Sequence, residues 1–299
     1  MRAIQITNLN GPDEALELVD IPEPEASHML TPGSGVLVDV HSAGVSFPEV
    51  LQSRGEYQFK PDLPFVPGSE VGGIRRDTGE RVAAFSFLGA FAEVAVAPEY
   101  MVFPIPDEWD YAQGAALVLN YHTAYFALKL RGRLTEGETV LVHGAAGGVG
   151  TASLQVAKGL GARTIAVVSN DEKEQVARDA GADEVVRADG FKDAVKELGG
   201  ADLVIDPVGG DRFTDSLRSL REEGRIVVVG FTAGSIPEVK VNRLLLNNTE
   251  VIGAEIERLI QAGFVRPPVG ASFPLDDAAE ALKLIDGRGA TGKVVLEVR

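Results

Sequence analysis

From Thr139 onward the chain alternates short apolar runs with stretches of helical spacing, and few folds tolerate that rhythm. The runs are "TVLVHG" (139–144), "TIAVVS" (164–169), "DEVVRA" (183–188), "ADLVIDPV" (201–208), "RIVVVGF" (225–231) and "TEVIGAEI" (249–256). Most are apolar along their length rather than at alternate positions, as strands must be when helices cover both faces of a parallel sheet. Helices are expected over 149–160, over 171–180 with Asp171 as N-cap, over 191–198 and over 211–220. This βαβα succession predicts an α/β fold with a doubly wound, mostly parallel sheet.

The first third of the chain has a different texture. "RAIQITN", "ALELVDI", "GVLVDVHSAGV", "RVAAFSF" and "FAEVAVA" are short, β-branched runs broken by Gly and Pro, which read as a mainly antiparallel sheet or barrel. "DYAQGAALVLNYHTAYFALKL" then has helical length and spacing. The tail, "GASFPLDDAAEALKLIDGRGATGKVVLEV", reads as a helix followed by a strand and is expected to close back onto the N-terminal region. The resulting division is 1–115 with 270–299 as one domain and 116–269 as the other.

Charge narrows the partners. A formal net charge of −16 argues against nucleic acid and anionic membranes, which need clustered Lys and Arg. No apolar run approaches a membrane span, and "MRAIQITNLNGPDE" lacks the apolar core of a signal peptide, so a cytoplasmic location is expected. With no cysteine in the chain, disulfides, thiolate metal ligands and a cysteine nucleophile are excluded.

The first parallel strand runs into "HGAAGGVG" (143–150), an imperfect match to the dinucleotide fingerprint G-x-G-x-x-G. Ala145 stands at the first glycine position, while Gly147 and Gly150 fit. The context is the confirming one, since the glycines follow a strand and open an amphipathic helix. Gly147 would let the backbone approach a pyrophosphate and Gly150 would let helix and strand pack closely. Ala146, Gly147, Gly148, Val149 and Gly150 are the candidate cofactor-binding residues of this turn, and the free N–H groups at the start of the helix would meet the phosphate charge. A glycine-rich turn without ligand is the alternative.

An NAD site wants a carboxylate near the end of the second strand. Here Ser169 and Asn170 stand there, with Lys173 in the first helical turn. A hydroxyl, an amide and a cation suit a ribose 2′-phosphate, so NADP(H) is the expected cofactor. Lys173 as a solvated surface lysine is the alternative.

Taken together, "RGEYQFKPDLPFVPGSEVGG" (54–73), "NYHTAYFAL" (120–128), "VLVHGAAGGVG" (140–150), "VVSNDEKEQVARDAGADEVV" (167–186), "DPVGG" (206–210) and "ATGKVVLEV" (290–298) resemble the medium-chain dehydrogenase/reductase superfamily, in particular its zinc-free quinone oxidoreductase-like branch. The resemblance implies a GroES-like domain completed by the tail, a Rossmann domain, and an active site in the cleft between them. Zinc alcohol dehydrogenases of this superfamily carry a ligating histidine in a G-H-E motif; "PGSEVGG" has Ser69 beside Glu70 instead. His28, His41, His122 and His143 show no ligand spacing. No metal is expected. Hydride chemistry without a Lewis acid favours quinones and α,β-unsaturated carbonyl compounds, both small electrophiles.

By the same resemblance, Tyr57 would donate a hydrogen bond or proton near the nicotinamide, and Asn120 and Thr123 would lie near nicotinamide and substrate. Val208 and Phe231 would bring backbone to the cofactor, with Asn248 a further candidate. Each has a structural alternative, as loop, cap or packing residue. Glu70 is expected in a salt bridge with an arginine, His143 as a satisfied core residue, and Asp206 as a backbone cap. "AGVSFPEVL" is read as a loop whose Ser46 and Glu49 depart from the usual Asn and Asp. The turn in 72–82 and the segment between "VIGAEI" and "RLIQAGFVRPPVG", before Arg258, look short for the family. A homodimer paired through the strand near Val251 is a family-level expectation. A 2-enoyl thioester reductase and a non-catalytic NADPH-binding module are the competing functions.

Overall fold

Six parallel strands form one sheet in the spatial order Glu184–Arg187, Arg163–Val168, Thr139–Val142, Ala201–Asp206, Leu220–Val228 and Glu250–Val251. In chain order that is 3-2-1-4-5-6, the doubly wound arrangement. The computed structural model describes residues 1–251 and 267–299. They fall into two compact units, Met1–Leu119 with Pro267–Arg299, and Asn120–Arg266. Among the described residues no helix is long and apolar enough to cross a membrane.

The continuous apolar runs are buried for the expected reason. Every residue of Thr139–Val142 is buried, as are Ile165, Val167, Val204 and Ile226 in the core of this unit. Helix Gly148–Gly159 covers one side through Ala152, Leu154, Val156 and Ala157. Burying a Leu, Ile or Val side chain contributes roughly 1.5–3 kcal/mol, so these strands are a large part of what holds the unit together.

The other unit is mainly antiparallel. Its larger sheet orders Val269–Pro274, Lys293–Glu297, Val36–Val45, Glu70–Arg75, Arg81–Phe85 and Val102–Pro104, with Val94–Ala97 pairing to Val36–Val45. The tail strand Lys293–Glu297 pairs antiparallel with Val36–Val45, so the end of the chain completes the sheet begun near its start. Helix Ala278–Asp286 buries Ala278, Ala281 and Leu282 in the same core.

Several local expectations are corrected. "SFPEVL" is not loop: Phe47–Ser53 is a helix that tolerates Pro48 because its first turn needs no N–H there. The N-cap of helix Asp171–Asp179 is Asn170, whose side chain accepts the Lys173 N–H at 2.9 Å, rather than Asp171. The helix expected over 211–220 runs over Phe213–Ser219, and Asn242–Asn247 forms a further one. Only Glu250–Val251 of the sixth expected strand is described, and its continuation, with the final helix and Arg258, lies outside the described residues.

Candidate functional site

The strand order reverses between Thr139–Val142 and Ala201–Asp206, and ligands of open α/β sheets bind beyond the carboxyl ends of strands at such a point. Two turns meet there. The first strand leads into Gly144, whose φ of +56° is a left-handed conformation open to glycine at little cost. Ala145 and Ala146 follow, both buried, so the tight turn is made one residue ahead of the motif position assigned to Ala145. Gly147 is then the N-cap of helix Gly148–Gly159.

Helix geometry leaves the N–H groups of Gly148, Val149 and Gly150 without intrahelical acceptors; the first such bond is Thr151 N–H to the Gly147 carbonyl at 2.8 Å. A Cβ on Gly147 would meet only the Gly144 carbonyl oxygen at 3.4 Å, which leaves its outer side open to a ligand. At Gly150 a Cβ would lie 2.1 Å from that oxygen and 2.7 Å from Ala145 Cα. The two glycines therefore serve different ends, access and packing. Gly150→Ala is expected to cost about 1–3 kcal/mol by overpacking and to open the turn, seen as a lower melting temperature and lost nucleotide binding.

Asn120 and Thr123 lie three residues apart on helix Val118–Tyr125, on one face. Asn120 is buried, and a Cβ on Gly148 would meet its Nδ2 at 2.7 Å, so the amide lies against the start of the phosphate-turn helix. Val208 belongs to the second turn, where Asp206 Oδ1 accepts the N–H groups of Val208 and Gly209, each at 2.9 Å. Phe231 is partly exposed, and a Cβ on Gly209 would touch its ring at 3.0 Å. A Cβ on Gly144 would lie 3.4 Å from Val208, so the two turns are in contact. Asn248 is the left-handed C-cap of helix Asn242–Asn247.

Ser169 and Asn170 are exposed just past Arg163–Val168, with Lys173 one helical turn on. Asp171 does not face them as an acid at the ribose: its carboxylate pairs with Arg187, which also reaches Glu174 at 2.9 Å. Arg187 is the register partner of Val168, an additional cation at this edge that sequence spacing alone did not single out.

Tyr57 lies in the other unit, half-buried, beyond helix Phe47–Ser53. Burial, and then the charge of Glu49, raise its hydroxyl pKa. In the same unit is a buried cluster of Ser46, Glu49, Ser69, Glu70 and Lys293. Glu49 Oε2 accepts the Ser46 N–H at 2.8 Å and its Oε1 faces Ser69 Oγ at 3.2 Å. Glu70 pairs with Lys293 rather than with an arginine, and its Oε2 accepts the Leu119 N–H at 2.8 Å. Position 69, where a histidine would ligate in the zinc enzymes, thus supplies a hydroxyl to a buried carboxyl. Among the described residues no group of three or more His, Asp or Glu side chains could hold a metal.

The zinc-binding dehydrogenase family matches residues 148–259. Quinone oxidoreductase-like protein 2 of Mus musculus is 38% identical over 297 residues, covering 88% of this chain and 85% of its own length. Quinone oxidoreductase of Mus musculus is 35% identical over 332 positions, covering 99% and 97%. That alignment is longer than the 299-residue chain, so the relative carries residues that this chain lacks. Among solved structures, the quinone oxidoreductase of Thermus thermophilus, also solved in complex with NADPH, is 35% identical, with a TM-score of 0.85 and full coverage of both chains.

Proposed function

Because the chain belongs to the quinone oxidoreductase branch of the medium-chain dehydrogenase/reductase superfamily and is an oxidoreductase, we propose that it uses NADPH to reduce quinones or α,β-unsaturated carbonyl compounds. The observation that carries this reading is the turn Gly144–Gly150. Its free N–H groups, open Gly147 and tightly packed Gly150 fit a pyrophosphate at a helix N-terminus. The Thermus thermophilus relative's complex with NADPH supports the same cofactor here.

In this reading Gly148, Val149 and Gly150 hold the pyrophosphate. Ser169, Asn170 and Lys173 hold the 2′-phosphate; the Asn170 oxygen caps the helix and its amide nitrogen remains for the ligand. Val208 and Phe231 present backbone to the carboxamide. When bound, the reduced nicotinamide supplies a hydride to an electron-poor carbon. The chain's part is to orient the acceptor and to donate to the oxygen that gathers charge, a role proposed for Tyr57. Burial keeps the Tyr57 hydroxyl protonated, as a donor must be. Lacking cysteine, and with Ser69 in the histidine's place, the chain polarises its acceptor by hydrogen bonds rather than through zinc.

The test is nicotinamide absorbance with NADPH and a panel of free quinones, enones and 2-enoyl thioesters. Turnover of the free compounds supports the proposal. Turnover of thioesters alone would move the assignment to a thioester reductase, and NADPH binding without any turnover would leave a nucleotide-binding module. Calorimetry settles the cofactor: Lys173→Ala should weaken NADPH about tenfold, or about 1.4 kcal/mol, and leave NADH unchanged. Equal wild-type affinity for NADH and NADPH would overturn the 2′-phosphate assignment.

A further inference from the structure

His143 and Asp206 were expected to be, respectively, a satisfied core residue and a simple cap, and neither description is complete. Val142 pairs in register with Ile205 on neighbouring parallel strands, so the next residues, His143 and Asp206, extend the same row and face the same way. The His143 N–H donates to the Ile205 carbonyl at 3.0 Å, which fixes this register. Both side chains are buried, at 0% and 1% exposure.

Proton bookkeeping then defines the gap between them. Ser216 has one hydroxyl proton, and it donates to the Arg212 carbonyl at 3.1 Å. The 2.8 Å contact between Ser216 Oγ and His143 Nε2 therefore needs the imidazole to donate. That places the proton on Nε2 and leaves Nδ1 as a bare acceptor. Asp206 Oδ1 is occupied by the Val208 and Gly209 N–H groups. Neither Nδ1 nor Asp206 Oδ2 has a hydrogen-bond partner among the described residues. Two adjacent buried acceptors repel each other and are costly when bare. A molecule with two donors and little bulk satisfies both at once, and water is that molecule.

We propose that one buried water, donating to His143 Nδ1 and Asp206 Oδ2, makes these residues a positioning pair that ties the phosphate turn to the Val208 turn in their nucleotide-binding shape. The proposal rests on the nucleotide-site reading above. His143 immediately precedes Gly144, the residue that starts the phosphate turn. Asp206 organises the second turn and, through its carbonyl, accepts the Val229 N–H at 2.8 Å; the Val208 carbonyl accepts from Ala233 at 2.9 Å. The pair thus underlies Gly144, Val208 and the segment bearing Phe231. The charged groups facing the imidazole are Asp206 from its neighbouring strand and Arg212 ahead of helix Phe213–Ser219; Phe191 packs edge-on at 4.8 Å. Burial holds the His143 imidazole below its ordinary pKa, so it is neutral at neutral pH.

Nitrogen-15 NMR of histidine-labelled protein reads the tautomer directly. His143 should show protonated Nε2 and unprotonated Nδ1 from pH 8 down to pH 6, and a high-resolution crystal structure should show a water in hydrogen-bond reach of both acceptors. Asp206→Asn keeps an oxygen for the cap and puts an amide nitrogen in place of Oδ2, so that the side chain donates to the bridging water instead of accepting from it. It should shift the His143 Nδ1 resonance and leave those of His28, His41 and His122 unmoved. His143→Leu strands Asp206 Oδ2 and should weaken NADPH at least tenfold. A protonated Nδ1, direct contact without water, or a folded His143→Leu that binds NADPH like wild type would overturn the proposal. Wild type that shows the tautomer and the water yet binds no nucleotide would overturn the site reading instead.

Discussion

Lys293→Met is expected to lower the unfolding free energy by about 3–5 kcal/mol, because it strips a buried carboxylate of its counter-ion. Lys293 is 3% exposed at the start of strand Lys293–Glu297, and Glu70, on Glu70–Arg75, is fully buried. Its ammonium pairs with Glu70 and donates to Ser46 Oγ, while Leu119 N–H holds the far carboxylate oxygen. Methionine keeps the bulk and removes the charge, so the loss reports electrostatics rather than a cavity. For a unit of this size the melting temperature should fall by roughly 10 °C. Adding Glu70→Gln to Lys293→Met should restore most of the loss, because the amide oxygen still accepts from Leu119 and no charge remains to strand. Thermal and urea unfolding of the four proteins check this as a double-mutant cycle. A single Lys293→Met variant within about 1 kcal/mol of wild type would show that the pair's attraction only matches its desolvation.

The parallel sheet was legible because burial on both faces leaves a direct mark, a run such as "LVI" in Ala201–Asp206 with no alternation. The glycine turn was legible in outline and misplaced in detail. A motif states which positions need glycine, whereas the left-handed residue is set by where the strand releases the chain, and that is Gly144. Asn170 and Asp171 are both good N-caps by type, and the end of the preceding strand decides between them. Helix Phe47–Ser53 was hidden by its brevity and by Pro48, which reads as a breaker unless the helix start is already known. The buried ion pair left no local trace. Lys293 donates to Ser46 across 247 residues of chain, and nothing in "TGKVV" distinguishes that lysine from a solvated one. The bare nitrogen of His143 was equally hidden, since it depends on where the Ser216 proton goes.

Glu49→Gln is expected to make the protein more stable than wild type at pH 8 and to remove a decline in stability with rising pH. Glu49 is fully buried, and burial is the main reason that its carboxyl is pushed up from 4.5 to about 7; nearby Glu70 adds to the rise, while Lys293 and the Ser46 N–H oppose it. Charge counting agrees: two buried carboxyls share one ammonium, Glu70 takes it by direct pairing, and the cluster is neutral only if Glu49 carries a proton. The folded state therefore binds this proton more tightly than the unfolded chain. The contribution to stability is full below about pH 4.5 and is lost as pH rises through about 7, a change of about 3 kcal/mol at 1.36 kcal/mol per unit. Glutamine keeps an oxygen for the Ser46 N–H and gives up the titration. Urea unfolding at pH 5 and pH 8 should show wild type losing stability between the two from this site and Glu49→Gln not doing so. An equal loss in both proteins would place the pH dependence elsewhere. The same ionisation reaches Tyr57, because a charged Glu49 raises the pKa of its hydroxyl. Above neutral pH the buried acid thus costs the fold some stability and holds the proposed donor hydroxyl more firmly in its protonated form.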